Sequence, residues 1–337
     1  MTEKKSVVEP VRWGVLGCAR IANNWVAPAI VATPSAQLWA VASRAPDRAQ
    51  EMARRFGAQK AYGAYEQLLA DPDVEAVYIP LPNHLHKPWA IAALRAGKHV
   101  LCEKPIALNA AEAREMQAVA QETGNLLVEA FMYRYSPLMR QALQIVRAGE
   151  LGELRAIHSA FTFVLPDDPR NVRLQADMGG GALYDVGCYA IHVQRLFAGR
   201  EPVSTYARCL WSEQYGVDLN CAGLLDFGQG LVGSLHAGFD TPGNTFFRLL
   251  GTKGSLEGPD GFSPRERPGV LVLNRAGLTR RLTVPQANAY EQEVRDFSEA
   301  VRGAHPLLYG NESLDANMRV IDACYASAKS GQAVTVS

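Results

Sequence analysis

His99-Val-Leu-Cys-Glu-Lys-Pro105 is the run on which the reading of the chain turns. Residues 100–102 read as a short buried strand, and Glu103-Lys104-Pro105 stands just past its carboxyl end. In open α/β sheets that rim is where ligands bind. A lysine directly before proline is held in extended backbone, because proline's Cδ excludes the helical region for its neighbour. Taken alone, the run equally fits a surface loop with a solvated Glu/Lys pair. Its surroundings decide between the two.

Upstream, residues 11–16 form an apolar strand, followed at once by Gly17-Cys18-Ala19-Arg20-Ile21-Ala22. This is a G-x-G-x-x-G/A turn with alanine in the second and third glycine places. Such a turn brings backbone close to a pyrophosphate and aims a helix N-terminus at it. A helix is expected over residues 21–33, bent or split at Pro28. The next strand, residues 37–43, ends at Ser43-Arg44, with Arg48 one turn on. A site for NAD places an acid there for the ribose 2′-hydroxyl. A hydroxyl and guanidinium groups suit a 2′-phosphate instead, so NADP is expected ahead of NAD. The competing reading makes Ser43 the cap of a helix over residues 47–56, with Arg44 solvated.

The alternation then repeats. Residues 76–79 form a strand, followed by Pro80-Leu81-Pro82-Asn83-His84-Leu85-His86 and a helix to Ala96 that Gly97 closes. After the strand at 100–102 a helix runs from its N-cap Asn109 to Thr123, and residues 126–129 give another strand. Strands and helices joined by short connections mean a parallel, doubly wound sheet. The loops at 80–86 and 103–106 both fall on its ligand-binding rim. His84 and His86 lack a third partner at metal-ligand spacing, so no metal is expected; they line the cofactor pocket or pack locally.

Composition sets outer limits. The 337 residues exceed what one core usually serves, so two domains are expected, at residues 1–130 and 131–337. Lys+Arg and Asp+Glu both number 34, which gives no electrostatic reason to expect nucleic acid. The opening run Met1–Ser6 has no apolar stretch of a signal peptide, and no segment approaches a membrane span. Cys18, Cys102, Cys188, Cys209, Cys221 and Cys324 show no Cys-x-x-Cys spacing. They are expected to be reduced, mostly buried thiols of a cytoplasmic protein.

Beyond residue 130 strands follow one another, at 154–164, 205–210, 222–227, 231–236, 246–251, 270–273 and 282–284. Helices are fewer, at 137–148, 184–198, 289–302 and 312–330. This pattern predicts an α+β domain with a mainly antiparallel sheet. Gly179-Gly-Gly181 leads into Ala-Leu-Tyr-Asp185-Val-Gly-Cys-Tyr189-Ala-Ile-His192. On a regular helix Asp185, Tyr189 and His192 share one face. An acid, a phenol and an imidazole together suit chemistry better than packing, although Asp185 as a cap and Tyr189 as filler would also explain them.

Four motifs together resemble the Gfo/Idh/MocA family (glucose–fructose oxidoreductase / inositol dehydrogenase): Gly17-x-Ala19-x-x-Ala22, Pro82-Asn83-x-x-His86, Glu103-Lys104-Pro105 and Asp185-x-Gly187-x-Tyr189. The resemblance covers nearly the whole chain. It implies a Rossmann domain, a second domain with a large open-faced sheet, and homodimers or homotetramers formed through that sheet. It also implies an NAD(P)-dependent oxidoreductase acting on sugars and related polyols, with Lys104 matching the family's catalytic lysine. Tyr189 stands where inositol dehydrogenases carry histidine. With Glu129-Ala-Phe131 and Arg134 upstream, this resembles the subgroup of D-xylose and trans-dihydrodiol dehydrogenases. Two other readings are a dihydrodiol dehydrogenase, with an apolar substrate, and a dinucleotide-binding sensor without turnover.

Chemistry then assigns expected roles. Oxidising a carbinol needs a proton acceptor at the hydroxyl while hydride leaves for the nicotinamide. Tyr189 fills that role if the Lys104 ammonium lowers its pKa, or the two exchange roles; Asp185 orients Lys104 or a substrate hydroxyl. Expected cofactor contacts are Gly17, Cys18, Ala19, Arg20, Ile21, Ser43, Arg44, Arg48, Leu81, Asn83, His86, Glu103 and Lys104. Arg134, Phe163, Arg170 and Arg173 join Tyr189 as expected substrate contacts. The geometry the site demands, and the resemblance, also lead us to expect a cis Lys104–Pro105 bond.

Overall fold

Parallel strands covered on both faces must be apolar on both, so they read as unbroken hydrophobic runs. Val11–Leu16 (β1) is such a run apart from Arg12, and is buried along the rest of its length. With Ala36–Ala42 (β2), Lys60–Tyr62 (β3), Ala76–Ile79 (β4), His99–Cys102 (β5) and Leu127–Glu129 (β6) it makes a six-stranded parallel sheet. The order β3-β2-β1-β4-β5-β6 reverses direction between β1 and β4. Ligands bind at such a switch point, outside the carboxyl ends of the strands. The turn after β1, the loop after β4 and the Glu103-Lys104-Pro105 turn after β5 all open onto it. The computed structural model describes residues 9–262, 268–310 and 313–337; Met1–Ser6 and the expected helix start at Glu312 lie outside them.

The break expected at Pro28 takes the form of a wide π turn, Ala22–Val26, followed by an α-helix at Ala27–Ala32. Ala27 N–H reaches back to the Ala22 carbonyl, and Pro28, with no N–H to give, follows at once. The helix before β6 is capped as expected, Asn109 accepting from Glu112 N–H. β3 and the short helix Tyr65–Leu69 are additions to the sequence reading.

The second sheet has nine strands: Leu154–Val164 (β7), Ser204–Trp211 (β8), Asp218–Asp226 (β9), Val232–Gly238 (β10), Asp240–Gly251 (β11), Gly254–Pro259 (β12), Gly269–Arg275 (β13), Leu278–Val284 (β14) and Val334–Thr335 (β15). β7 and β10 pair in parallel and the other pairs are antiparallel. Helices Cys188–Ala198 and Ala316–Ser330 cover one face. The other is open, and Tyr206, Leu210, Leu224 and Val232 stand exposed on it. The expectation of six reduced thiols fails at one pair. Cys209 and Cys221 lie directly opposite one another on β8 and β9 and are joined as a disulfide. Strand register makes this pair, and no local cysteine spacing announces it; the other four thiols are free and buried.

The chain finally returns to its first half. Helix Ala289–Val301 lies against the parallel sheet, with Phe297 5.0 Å from the Trp13 ring and Ser298 Oγ accepting from Trp13 Nε1–H at 3.0 Å. Among the described residues no helix is long and apolar enough to cross a membrane.

Candidate active site

Gly17 closes β1 at φ +111°, where side chains are strained, and a Cβ there would come within 2.9 Å of Leu81 Cδ2. Ala19, Arg20 and Ile21 follow along the wall of a cleft of about 650 Å³. Cys18 is buried and faces away from it: its thiol donates to the Arg48 carbonyl, while Arg48 Nη2 donates to the Cys18 carbonyl at 2.8 Å. Arg48, itself exposed, thus braces the turn after β1. Ser43 is no helix cap. Its hydroxyl accepts from Ala45 N–H, and helix Pro46–Phe56 starts without a side-chain cap. Arg44 is exposed at the end of β2, beside Tyr65.

The Lys104–Pro105 bond is cis, as expected. Its turn is held on both sides: Glu103 N–H donates to the Ile79 carbonyl at 3.1 Å, and Ile106 N–H to Glu129 Oε1 at 2.9 Å. The lysine crosses the cleft to the second half of the chain. Its Nζ donates to Asp185 at the carbonyl (2.7 Å) and at Oδ1 (3.1 Å). Asp185 Oδ2 accepts from Arg173 Nε at 2.6 Å. Tyr189 lies beneath the same ammonium, which stands 5.0 Å from its ring centre. Lys104, Asp185, Arg173 and Tyr189 all line the cleft with Leu81, Asn83, Glu103 and Phe163.

Three expected contacts lie elsewhere. Arg134 is buried away from the cleft, donating to the Glu129 carbonyl with its guanidinium 4.7 Å from the Tyr309 ring. Arg170 is a solvated pair with Asp168. His86 is fully buried behind the rim, Nδ1 standing 2.8 Å from the Pro105 carbonyl and Nε2 2.7 Å from that of Leu81. Of the expected shared face, Asp185 and Tyr189 line the cleft, while His192, on the same regular helix as Tyr189 and against the same Phe131 and Tyr133 rings, does not. Asp185 sits in a wide π turn, Leu183–Gly187, that precedes the helix carrying Tyr189 and His192. His192 turns inward, 2.5 Å from the Tyr133 hydroxyl and stacked on Phe131.

The cleft also holds residues that no local pattern marks. Tyr290 arrives from the far C-terminal helix and stacks against Trp25. Phe161 and Phe262 pack on Tyr189 at 5.4 and 5.9 Å. Only the triple glycine was visible beforehand. A Cβ at Gly180 would meet the Arg173 carbonyl at 2.6 Å, so that glycine lets the backbone fold tightly behind Arg173.

The charges follow from these contacts. Burial raises the Asp185 pKa, but Arg173 and Lys104 together outweigh it and hold the carboxyl well below the usual range. Burial lowers the Lys104 pKa, and Asp185 more than offsets this, so the ammonium is stabilised. Glu103 is pushed up by burial, with Lys104 opposing. Tyr189 is the correction: burial, with Tyr290 and Glu103 adding, raises the phenol well above 10 where a lowering by Lys104 was expected. The rings around it exclude water and keep the proton on.

The end of the cleft at Gly17 fits a dinucleotide. Gly17 takes the positive φ of the turn and leaves room for Leu81, Ala19 to Ile21 follow it onto the cleft wall, and Ser43-Arg44 offers no acid to repel a 2′-phosphate.

The model of an oxidoreductase family with an NAD-binding Rossmann fold, Gfo/Idh/MocA, matches residues 11–131, and that of the family's C-terminal domain matches residues 139–257. The chain is 40% identical over 324 residues to D-xylose 1-dehydrogenase (NADP(+)) 2 of Haloferax volcanii, covering 96% of this chain and 98% of that one. It is 36% identical to trans-1,2-dihydrobenzene-1,2-diol dehydrogenase of Mus musculus, over 78% of each chain. Among solved structures, a 3-ketoreductase from Actinomadura kijaniata in complex with NADP and TDP-benzene superposes with a TM-score of 0.89 at 35% identity, covering 95% of this chain and 98% of that one.

Proposed function

The chain belongs to the Gfo/Idh/MocA oxidoreductase family, and from that premise we propose that it moves hydride between NADP and a carbinol of a sugar or related polyol, an aldose such as D-xylose or D-glucose. One observation carries the reading: Lys104, Asp185, Arg173 and Tyr189, drawn from both halves of the chain, line one cleft beside the dinucleotide turn. A sensor that only binds a dinucleotide has no need of this assembly.

Residues 1–130 form the dinucleotide-binding unit in this reading, and residues 131–337 shape the substrate side. Gly17, Ala19, Arg20 and Ile21 would hold the pyrophosphate end, and Ser43 and Arg44 the 2′-phosphate. Leu81, Asn83 and Glu103 would border the nicotinamide end. When bound, the nicotinamide supplies the hydride donor or acceptor. Tyr189 keeps its proton at neutral pH and in reduction gives it to the substrate carbonyl oxygen as hydride arrives; in oxidation the phenol must first lose that proton, and the phenolate then takes the carbinol proton as hydride leaves. The Lys104 ammonium stabilises the negative charge that gathers on that oxygen or, in oxidation, on the phenol. Asp185 holds Lys104 and Arg173 in place. Arg173 keeps further N–H groups for sugar hydroxyls, and Phe163 supports the apolar face of a sugar ring.

A second reading, oxidation of a trans-dihydrodiol, draws on the aromatic wall of Phe161, Phe163 and Phe262. The open sheet face, with Leu210, Leu224 and Val232 exposed, supports a homodimer or homotetramer. The test is a panel of aldoses, polyols and dihydrodiols with NADP and NAD, read as absorbance of the reduced cofactor. Turnover of an aldose with NADP is expected. No turnover of any carbinol overturns the proposal, and turnover of dihydrodiols alone selects the second reading.

A further inference from the structure

We propose that His86 is a positioning residue for Lys104, gripping the Lys104–Pro105 turn through the Pro105 carbonyl. This rests on the reading of Lys104 given above and goes beyond it, because His86 lies outside the cleft. The far end of Lys104 is anchored by Asp185, but a four-carbon stem places an ammonium well only if its root is also fixed. The root is bracketed by the Glu103 and Ile106 N–H bonds. Between them Pro105 has no N–H, so its carbonyl is the group by which the middle of the turn is held. That carbonyl faces His86 Nδ1 at 2.8 Å, in a fully buried place.

The opposite nitrogen, Nε2, faces a second carbonyl, Leu81, at 2.7 Å. A neutral imidazole has one N–H and can bond only one of the two. Burial favours that neutral form and, with Lys104 nearby, draws the pKa down to about 4 against the pull of both carbonyls. The proposal therefore specifies an atom: the proton sits on Nδ1, toward Pro105. The Leu81 loop is already held by the Leu85 N–H bond to the Pro82 carbonyl.

Substitutions can separate the two grips. Asparagine places its amide nitrogen near the position of Nδ1, glutamine near that of Nε2, and leucine fills the space with no donor. His86→Asn should keep kcat within about 5-fold of wild type, whereas His86→Gln and His86→Leu should lose about 10–100-fold, since small misplacements of a catalytic group are costly. NADPH affinity, titrated by fluorescence, should change little in all three. A purely structural role predicts instead that Asn and Gln lose alike, in step with their melting temperatures. Equal losses, or Gln outperforming Asn, overturn the proposal. The wild-type protein gives a check independent of variant folding: ¹⁵N-histidine NMR should find the His86 proton on Nδ1, and a proton on Nε2 alone overturns it. Lys104→Met completes the set. If it retains full rate, the reading of the site falls; if it is inactive while the His86 series is flat, only the positioning role falls.

Discussion

Asp185→Asn should separate the charge of the Lys104–Asp185–Arg173 cluster from its shape. The Asp185 carbonyl still accepts from Lys104 Nζ at 2.7 Å, so the lysine stays tethered. What disappears is the carboxylate, whose Oδ1 lies 3.1 Å from Nζ. With an effective dielectric of about 20, two unit charges at that distance attract by about 5 kcal/mol. Arg173 then repels Lys104 with Asp185 gone and Glu103 left to oppose it, and burial, which already works against the ammonium, prevails. Each pH unit corresponds to about 1.4 kcal/mol, so the lysine should titrate lower by well over one unit.

The sign differs for the two partners. Lys104 is raised on folding, so its contribution to stability is complete below the unfolded lysine pKa of about 10.4 and is lost as pH climbs through the folded value. Asp185 is depressed, so its contribution is complete above the unfolded carboxyl pKa of about 3.9 and is lost as pH falls through the folded value. The pair therefore acts at full strength from roughly pH 4 to 10, the span between those two reference values. The assay is the pH profile of kcat/KM together with thermal melts. Asp185→Asn should move the alkaline limb toward neutrality and cost about 3–5 kcal/mol, as expected on removing one partner of a buried pair. An unmoved alkaline limb with an unchanged melting temperature would refute the reasoning.

Tyr189→Phe keeps the ring packed among Phe131, Phe161 and Phe262, so the fold should survive while kcat falls by about 10²–10⁴-fold; a folded variant at near wild-type rate shifts the proton transfer to another group. Arg44→Ala should erase most of a preference for NADP over NAD, since one charge-assisted contact to phosphate is worth roughly 1.5–3 kcal/mol; fluorescence titration of both cofactors decides, and equal affinities in the wild type count against the assignment. Gly181→Ala drives a Cβ into Asp218 Oδ1 at φ +123° and disturbs the bond that carboxylate accepts from Leu183 N–H. It should lower stability by about 1–3 kcal/mol in urea melts, and an unchanged midpoint would contradict the strain argument.

Much of the first half was legible because β1, β4 and β5 are buried on both faces and carry the apolar runs that this requires. β3, Lys60-Ala-Tyr62, is a half-exposed edge strand held by pairing with β2, and three such residues carry no periodicity. The same holds for β12, where Gly and Pro occupy a strand defined by its neighbours. Within the site, motif spacing marked Lys104, Asp185 and Tyr189. For the arginines, no local pattern says that Arg173 turns into the cleft while Arg134 turns under Tyr309. The Tyr189 pKa was misread for a related reason: its cationic neighbour could be read from the motifs, but the surrounding rings that bury it come from distant parts of the chain. Tyr290 could not be placed beforehand, since only tertiary packing brings its helix back to the first sheet.

That returning helix bears on how the chain is made. Trp13 is synthesised 285 residues ahead of Ser298, which with Phe297 packs against it. At about 5–20 residues per second, the interval between completing the parallel sheet and releasing its lid is roughly 10–30 s. Throughout that time the nascent first half presents an uncovered indole and the apolar surface beside it. A ribosome-bound chain of this protein should therefore draw on holding chaperones, and a product truncated before residue 289 should be insoluble even though every strand of its first sheet is present.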